Sequence, residues 1–142
     1  VQAAGGDVVV MAAAVADFKP TSTAAHKIKK DDSDSVPEIV LERTPDILAG
    51  LVAHRQPGQI IVGFAAETGD DSASVIDFGR AKLARKGCDY LVVNDVTGDK
   101  AFGSPDNEVT IISSTSEVAV PRASKRVIAD ALLDTIATHS QA

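Results

Sequence analysis

Residues 7–30 read DVVVMAAAVADFKPTSTAAHKIKK, and the fold turns on how this stretch is understood. It opens with Val8-Val9-Val10-Met11, an apolar run with no alternation. Such a run predicts a strand of about residues 7–12, buried on both faces of a parallel sheet. Small residues follow at Ala12, Ala13, Ala14 and Ala16, then Asp17, Phe18 and a turn at Lys19-Pro20. Lysines cluster at Lys27, Lys29 and Lys30. Ligands of open α/β sheets sit in the crevice beyond the carboxyl ends of the strands. Small side chains there let a flat or charged ligand approach the backbone. Asp17 and Lys27, on a loop that folds back, can then hold the two ends of a nucleotide. A buried strand, an Ala-rich turn and a solvated lysine patch would leave the same pattern, so this stretch alone does not decide between them.

Working outward, residues 27–30 and 38–43 look extended. Thr44-Pro45 reads as a helix opening, Thr as cap and Pro at the first helical position. A helix over residues 46–55 follows, with Ile47, Leu48, Leu51 and Val52 on one face. Residues 59–65 form a second buried strand, running into a polar loop with Glu67, Asp70 and Asp71. Residues 74–86 predict a long helix stopped by Gly87 with basic residues in its last turn. Residues 88–93 give a third buried strand. Residues 109–113 and 117–121 alternate around a Ser-Thr turn and predict an antiparallel hairpin. Ser124 caps a final helix over residues 125–138. The sum is an α/β, Rossmann-like three-layer domain: a mostly parallel sheet with an antiparallel hairpin at the edge.

Composition agrees. The 142 residues are 44% hydrophobic, enough for one domain with a real core. The net charge of −6 argues against a nucleic-acid partner. A single cysteine, Cys88, excludes an intramolecular disulfide and a thiolate cluster, and suits a reducing, cytoplasmic compartment. No apolar run approaches the ~18–20 residues of a membrane span, so no membrane partner is expected.

Several groups can carry chemistry. Lys82 and Lys86 are four apart on one helix face, where like charges repel unless an anion lies between them. With Lys27 they can clamp a triphosphate; alone, they suit a solvated last turn. Pro45-Asp46-Ile47-Leu48 is a helix start whose free N–H groups can meet an anion. Phe64, beside Gly63, either stacks on a base or fills core. Glu67, Asp70, Asp71 and Asp95 sit on strand-end loops, where a nucleotide-borne magnesium ion finds oxygen ligands, or water alone. The histidines have no metal-ligand spacing, and no metal ligand is assigned. A short-chain dehydrogenase fragment is the main alternative among enzymes. It needs Tyr-x-x-x-Lys, yet Tyr90 is followed four later by Asn94, and no G-x-G-x-x-G is present.

In order, AAAVADFKP, KIKK, TPDIL, VGFAAET, AKLARKGCDYLVVNDV and AFGSPDNEVTII resemble the phosphopantothenate–cysteine ligase family. That family forms the carboxy-terminal half of a bifunctional decarboxylase/ligase of coenzyme A biosynthesis. The resemblance implies that 4′-phosphopantothenate attacks CTP to give an acyl-cytidylate, which free cysteine then converts to the amide. It implies magnesium as the companion cation and a homodimer formed through a flap between Phe18 and Glu42. It also implies site roles. Met11, Ala12 and Ala13 wall the CTP site, and Asp17 is a polar contact. Lys27 is the catalytic triphosphate lysine. Pro45, Asp46, Ile47 and Leu48 meet the nucleotide, Phe64 lies beside the base, and Lys82 and Lys86 complete the lysine set.

The family's glycine-rich first strand–loop and its Ser-Ser-Gly segment are not found in these residues. The expectation is therefore that residues 1–142 are the CTP-binding portion of the ligase domain, which binds CTP and turns over slowly or not at all. A nucleotide-binding module without chemistry of its own is the alternative of a different class.

Overall fold

The computed structural model describes residues 5–26, 38–70, 72–96 and 106–139. Its main sheet has strands β1 (Val8–Met11), β4 (Ile60–Glu67), β5 (Tyr90–Asp95), β6 (Asp106–Ser113) and β7 (Glu117–Ser124), in that spatial order. A separate two-stranded arm joins β2 (Phe18–Pro20) to β3 (Leu41–Arg43), antiparallel. Helices α1 (Ile47–Ala53) and α2 (Val75–Lys86) cover one face of the main sheet, and α3 (Lys125–His139) covers the other.

β1, β4 and β5 run parallel, while β6 and β7 are antiparallel additions. This is the Rossmann-like three-layer α/β domain with an antiparallel edge that the sequence predicts. The central strands follow from their composition. Ile61, Val62, Leu91, Val92 and Val93 are sealed from water because helices lie over both faces there. On the α3 face, Ile128, Leu132 and Ile136 recur every four residues and bury against Val62, Tyr90, Val92, Val109 and Ile111. Each contributes on the order of 2 kcal/mol by leaving water.

α2 is bounded by sequence chemistry at both ends. Ser74 and Asp77 exchange hydrogen bonds in a capping box, and Gly87 adopts the left-handed conformation at φ 69° that ends the helix. Gly79 lets the helix lie close on the sheet, since a Cβ there would stand 2.7 Å from Val93 Cγ2.

Two expectations need correction. β1 is not buried on both faces. It is the edge of the main sheet, and Val8 and Val10 remain 38% and 42% exposed on the α3 side. Only Val9 and Met11 pack, against the core beneath α1 and α2. An unbroken apolar run records that a strand has two apolar faces, not that both are covered. Thr44 does not cap the following helix either. Asp46 does, its side chain accepting from Ala49 N–H at 3.0 Å, and the helix begins at Ile47. Asp competes well for that place, and Thr44 is used elsewhere.

Candidate functional site

The carboxyl ends of β1 and β4 lie beside the start of α1. Met11, the last residue of β1, sits in register with Gly63 of β4. Ala12 and Ala13 follow it on the surface, with Asp17 exposed beyond them. Thr44 closes this loop. Its N–H donates to Asp17 O at 2.9 Å and its Oγ1 donates to Ala16 O at 2.5 Å. The chain returning from the arm is thereby pinned to the Ala-rich loop, which brings Pro45 and Asp46 beside Asp17.

α1 is seated by a missing side chain. A Cβ on Gly63 would lie 2.6 Å from Leu48 Cδ2 and 3.1 Å from Leu91 Cδ1. Glycine is what allows Leu48 to rest on the strand and the helix start to lie at the crevice. Next along β4, Phe64 is 41% exposed on the α3 face, not packed in the core. Its ring is available for stacking.

Lys82 and Lys86 reach the same crevice from α2. Helical Cα–Cβ bonds tilt toward the amino end, so both side chains climb toward the carboxyl edge of the sheet. Lys82 Nζ lies 2.5 Å from Glu67 Oε1, at the end of β4, and Lys86 pairs with Asp46. The like charges four apart are thus compensated by two carboxylates from two other elements. The Lys86 ammonium, and after it the Ala49 N–H, hold the Asp46 carboxyl below the ordinary aspartate range. Asp46 joins α1 to α2 through this pair while capping α1.

Contacts at this edge tie Met11 to Gly63, Leu48 to the face of Gly63, Thr44 to Ala16 and Asp17, Asp46 to Lys86, and Lys82 to Glu67; Ala12, Ala13, Pro45 and Ile47 neighbour these in sequence. Phe64 stands across the β4 strand from the lysines. Lys27 lies outside the described residues. Of the acids expected near a cation, Asp70 accepts from Ser72 and Ala73, which lowers its pKa, Glu67 faces Lys82, and Asp71 lies outside the described residues. Among the described residues no three carboxylate, imidazole or thiol groups converge as a metal site. Cys88 is buried, and desolvation pushes its thiol up, so it is no thiolate nucleophile.

Sequence reasoning missed three contributors. Glu67 was visible only as one acid in a polar loop, Thr44 only as a presumed cap, and Gly63 only as a neighbour of Phe64. A cleft of about 1020 Å³ lies elsewhere, lined by Arg80, Cys88, Tyr90 and the turn at Ser113 to Ser116. It lies by the start of β5 and the turn between β6 and β7, away from the ends of β1 and β4; there Arg80 pairs with Glu117 and Ser113 bonds Ser116.

A mostly parallel sheet clad on both faces by helices, with lysines converging on the strand ends, defines a Rossmann-like α/β domain. The family model of the DNA/pantothenate metabolism flavoprotein C-terminal domain matches residues 1–139, and the chain belongs to that family. It is 48% identical over 138 residues to the coenzyme A biosynthesis bifunctional protein CoaBC of Mycobacterium tuberculosis, covering 93% of this chain and 33% of the relative. The CoaBC of Thermococcus kodakarensis is 42% identical over 130 residues, 92% of this chain and 30% of that one. The chain thus spans about a third of the length of the curated relatives it matches. A crystal structure of the C-terminal domain of CoaBC aligns with a TM-score of 0.69 at 28% identity, over 96% of this chain and 56% of that one. These likenesses bear out the resemblance to the carboxy-terminal domain of the bifunctional protein.

Proposed function

We propose that this chain is the CTP-binding portion of a phosphopantothenate–cysteine ligase acting in coenzyme A biosynthesis. The observation that carries the reading is the meeting of Lys82, Lys86, the capped start of α1 and the Ala-rich loop at one strand-end crevice. The similarity to CoaBC proteins supports it.

In the proposed reaction, a carboxylate oxygen of 4′-phosphopantothenate attacks the α-phosphorus of CTP. The bond to the bridging oxygen breaks and pyrophosphate leaves. The amine of cysteine then attacks the acyl carbon, CMP departs, and the amine loses a proton. No protein nucleophile is required. The chain's part is charge placement and alignment. Lys82 and Lys86, with Lys27, would face the β and γ phosphates, where charge grows as pyrophosphate departs. The α1 start and the loop at Met11, Ala12, Ala13 and Asp17 would fix the nucleoside, with Phe64 against the base. Magnesium would arrive on the triphosphate, and no step is assigned to it.

The arm is proposed to pair two copies of the chain. Phe18, Ile39, Val40 and Leu41 are all exposed on an element that no helix covers among the described residues. Short apolar strands of this kind pair readily with another chain.

Binding and turnover separate the remaining alternatives. The chain should bind CTP in preference to ATP and NADPH. Pyrophosphate release with CTP, 4′-phosphopantothenate and cysteine should be very slow for residues 1–142 and fast for the full-length protein. Comparable rates would contradict assignment of these residues to nucleotide binding alone, and NADPH binding without CTP binding would contradict the ligase reading.

A further inference from the structure

We propose that Glu67 tunes triphosphate affinity by competing for Lys82, making it an affinity-determining residue of the site. The proposal rests on the reading above that Lys82 meets the triphosphate.

Glu67 ends β4, with a side chain only 19% exposed, and the side chain of Lys82 is 29% exposed. Glu67 Oε1 is sealed from solvent, and it takes no hydrogen bond of good geometry although Lys82 Nζ stands 2.5 Å away. The pair is therefore held by charge more than by hydrogen-bond alignment. A carboxylate withdrawn from water with an oxygen so poorly served is costly. The backbone of β4 does not depend on it. β4 is already fixed by its neighbours, and the Glu67 carbonyl independently accepts from Val96 N–H at 3.0 Å.

The two lysines differ in this respect. Asp46, the partner of Lys86, is also bonded to Ala49 N–H and so has a structural task at the α1 cap. Glu67 has no side-chain partner of that kind beyond Lys82 among the described residues. Its anchorage also decides which member moves. Glu67 is tethered to a central strand, whereas Lys82 has a long flexible stem. For Lys82 to serve a phosphate it must leave or share Glu67. The carboxylate thus subtracts from polyphosphate affinity and favours release of pyrophosphate.

The test is a binding cycle at low salt with CTP, CMP and inorganic tripolyphosphate as probes. Glu67→Gln should bind CTP and tripolyphosphate about threefold to tenfold more tightly, the scale of a partly exposed charged pair that no longer has to be broken. CMP affinity should barely change. In the Lys82→Ala background the Glu67→Gln gain should vanish, which a merely structural role for Glu67 would not produce. Glu67→Asp draws the carboxylate back by one methylene and should give a smaller gain. It serves as the second variant if the Gln protein melts early. Equal or weaker CTP binding by both variants would overturn the proposal, as would a gain that survives without Lys82. If Lys82→Ala itself binds CTP as tightly as the parent, the functional reading fails, not this refinement alone.

Discussion

Gly63→Ala is the substitution through which the architecture of the crevice is most open to measurement. The added Cβ would stand 2.6 Å from Leu48 Cδ2 and 3.1 Å from Leu91 Cδ1. Leu91 is fully buried and cannot withdraw. Leu48 is only partly buried, and the clashing atom is the end of its side chain, so α1 or its leucine must lift. Overpacking of this kind costs about 1–3 kcal/mol. Exchanging a strand glycine for alanine returns about 0.5–1 kcal/mol of backbone entropy, leaving a net loss of about 1 kcal/mol. For a chain of this size that corresponds to a fall in melting temperature of roughly 3–5 °C. Because Leu48 belongs to the helix start proposed to meet CTP, nucleotide affinity should fall with it. Gly50→Ala is the paired control. It lies in the same helix, and its Cβ would meet nothing within 4 Å. It should be neutral or stabilise by up to about 1 kcal/mol. Urea unfolding of the three proteins measures both effects. A Gly63→Ala protein as stable as the parent, with unchanged CTP affinity, would refute the seating of α1 on β4.

Further expectations follow from the same geometry. Lys82→Ala, Lys86→Ala and Lys27→Ala should each weaken CTP by up to about 1.5–3 kcal/mol, and weaken CMP much less; equal losses for the two nucleotides by calorimetry would misplace the lysines. The Asp46 carboxyl is held low in the folded chain, so its contribution is present above the unfolded value of 3.8 and lost as pH falls through the lower folded value. Asp46→Asn should keep the cap yet flatten that part of the acid limb, and an unaltered acid limb in the melting profile would count against the Lys86 pair. Replacing Ile39 and Leu41 together by Asp should yield a monomer in analytical ultracentrifugation while leaving the melting temperature of the main sheet little changed. Persistence of a dimer would move the interface away from the arm.

Much of this arrangement could be seen in the residues beforehand. The bare apolar runs at β4 and β5 mark strands with two apolar faces, both of which helices cover here, and Ser74 with Asp77 and Gly87 marks both ends of α2. The alternation at β6 and β7 marks a hairpin. What stayed hidden depends on neighbours distant in sequence. Val8 and Val10 look like any buried valines until strand order makes β1 an edge. Thr44 looks like a cap until its hydroxyl is found on Ala16, 28 residues away. Local spacing placed Lys82 and Lys86 on one face, but not the carboxylates that answer them, because Glu67 and Asp46 come from β4 and from the cap of α1. Gly63 and Gly79 are legible only once a helix is laid over the strand they face or join.

The central claim, that the crevice at the ends of β1 and β4 is a CTP site, is tested most directly by calorimetric titration with CTP and magnesium beside ATP, CMP and NADPH. CTP should bind saturably at one site, CMP and ATP more weakly, and the CTP advantage over CMP should be lost when Lys82 and Lys86 are both replaced by Ala. NADPH binding in place of CTP, or CTP binding indifferent to both lysines, would contradict it.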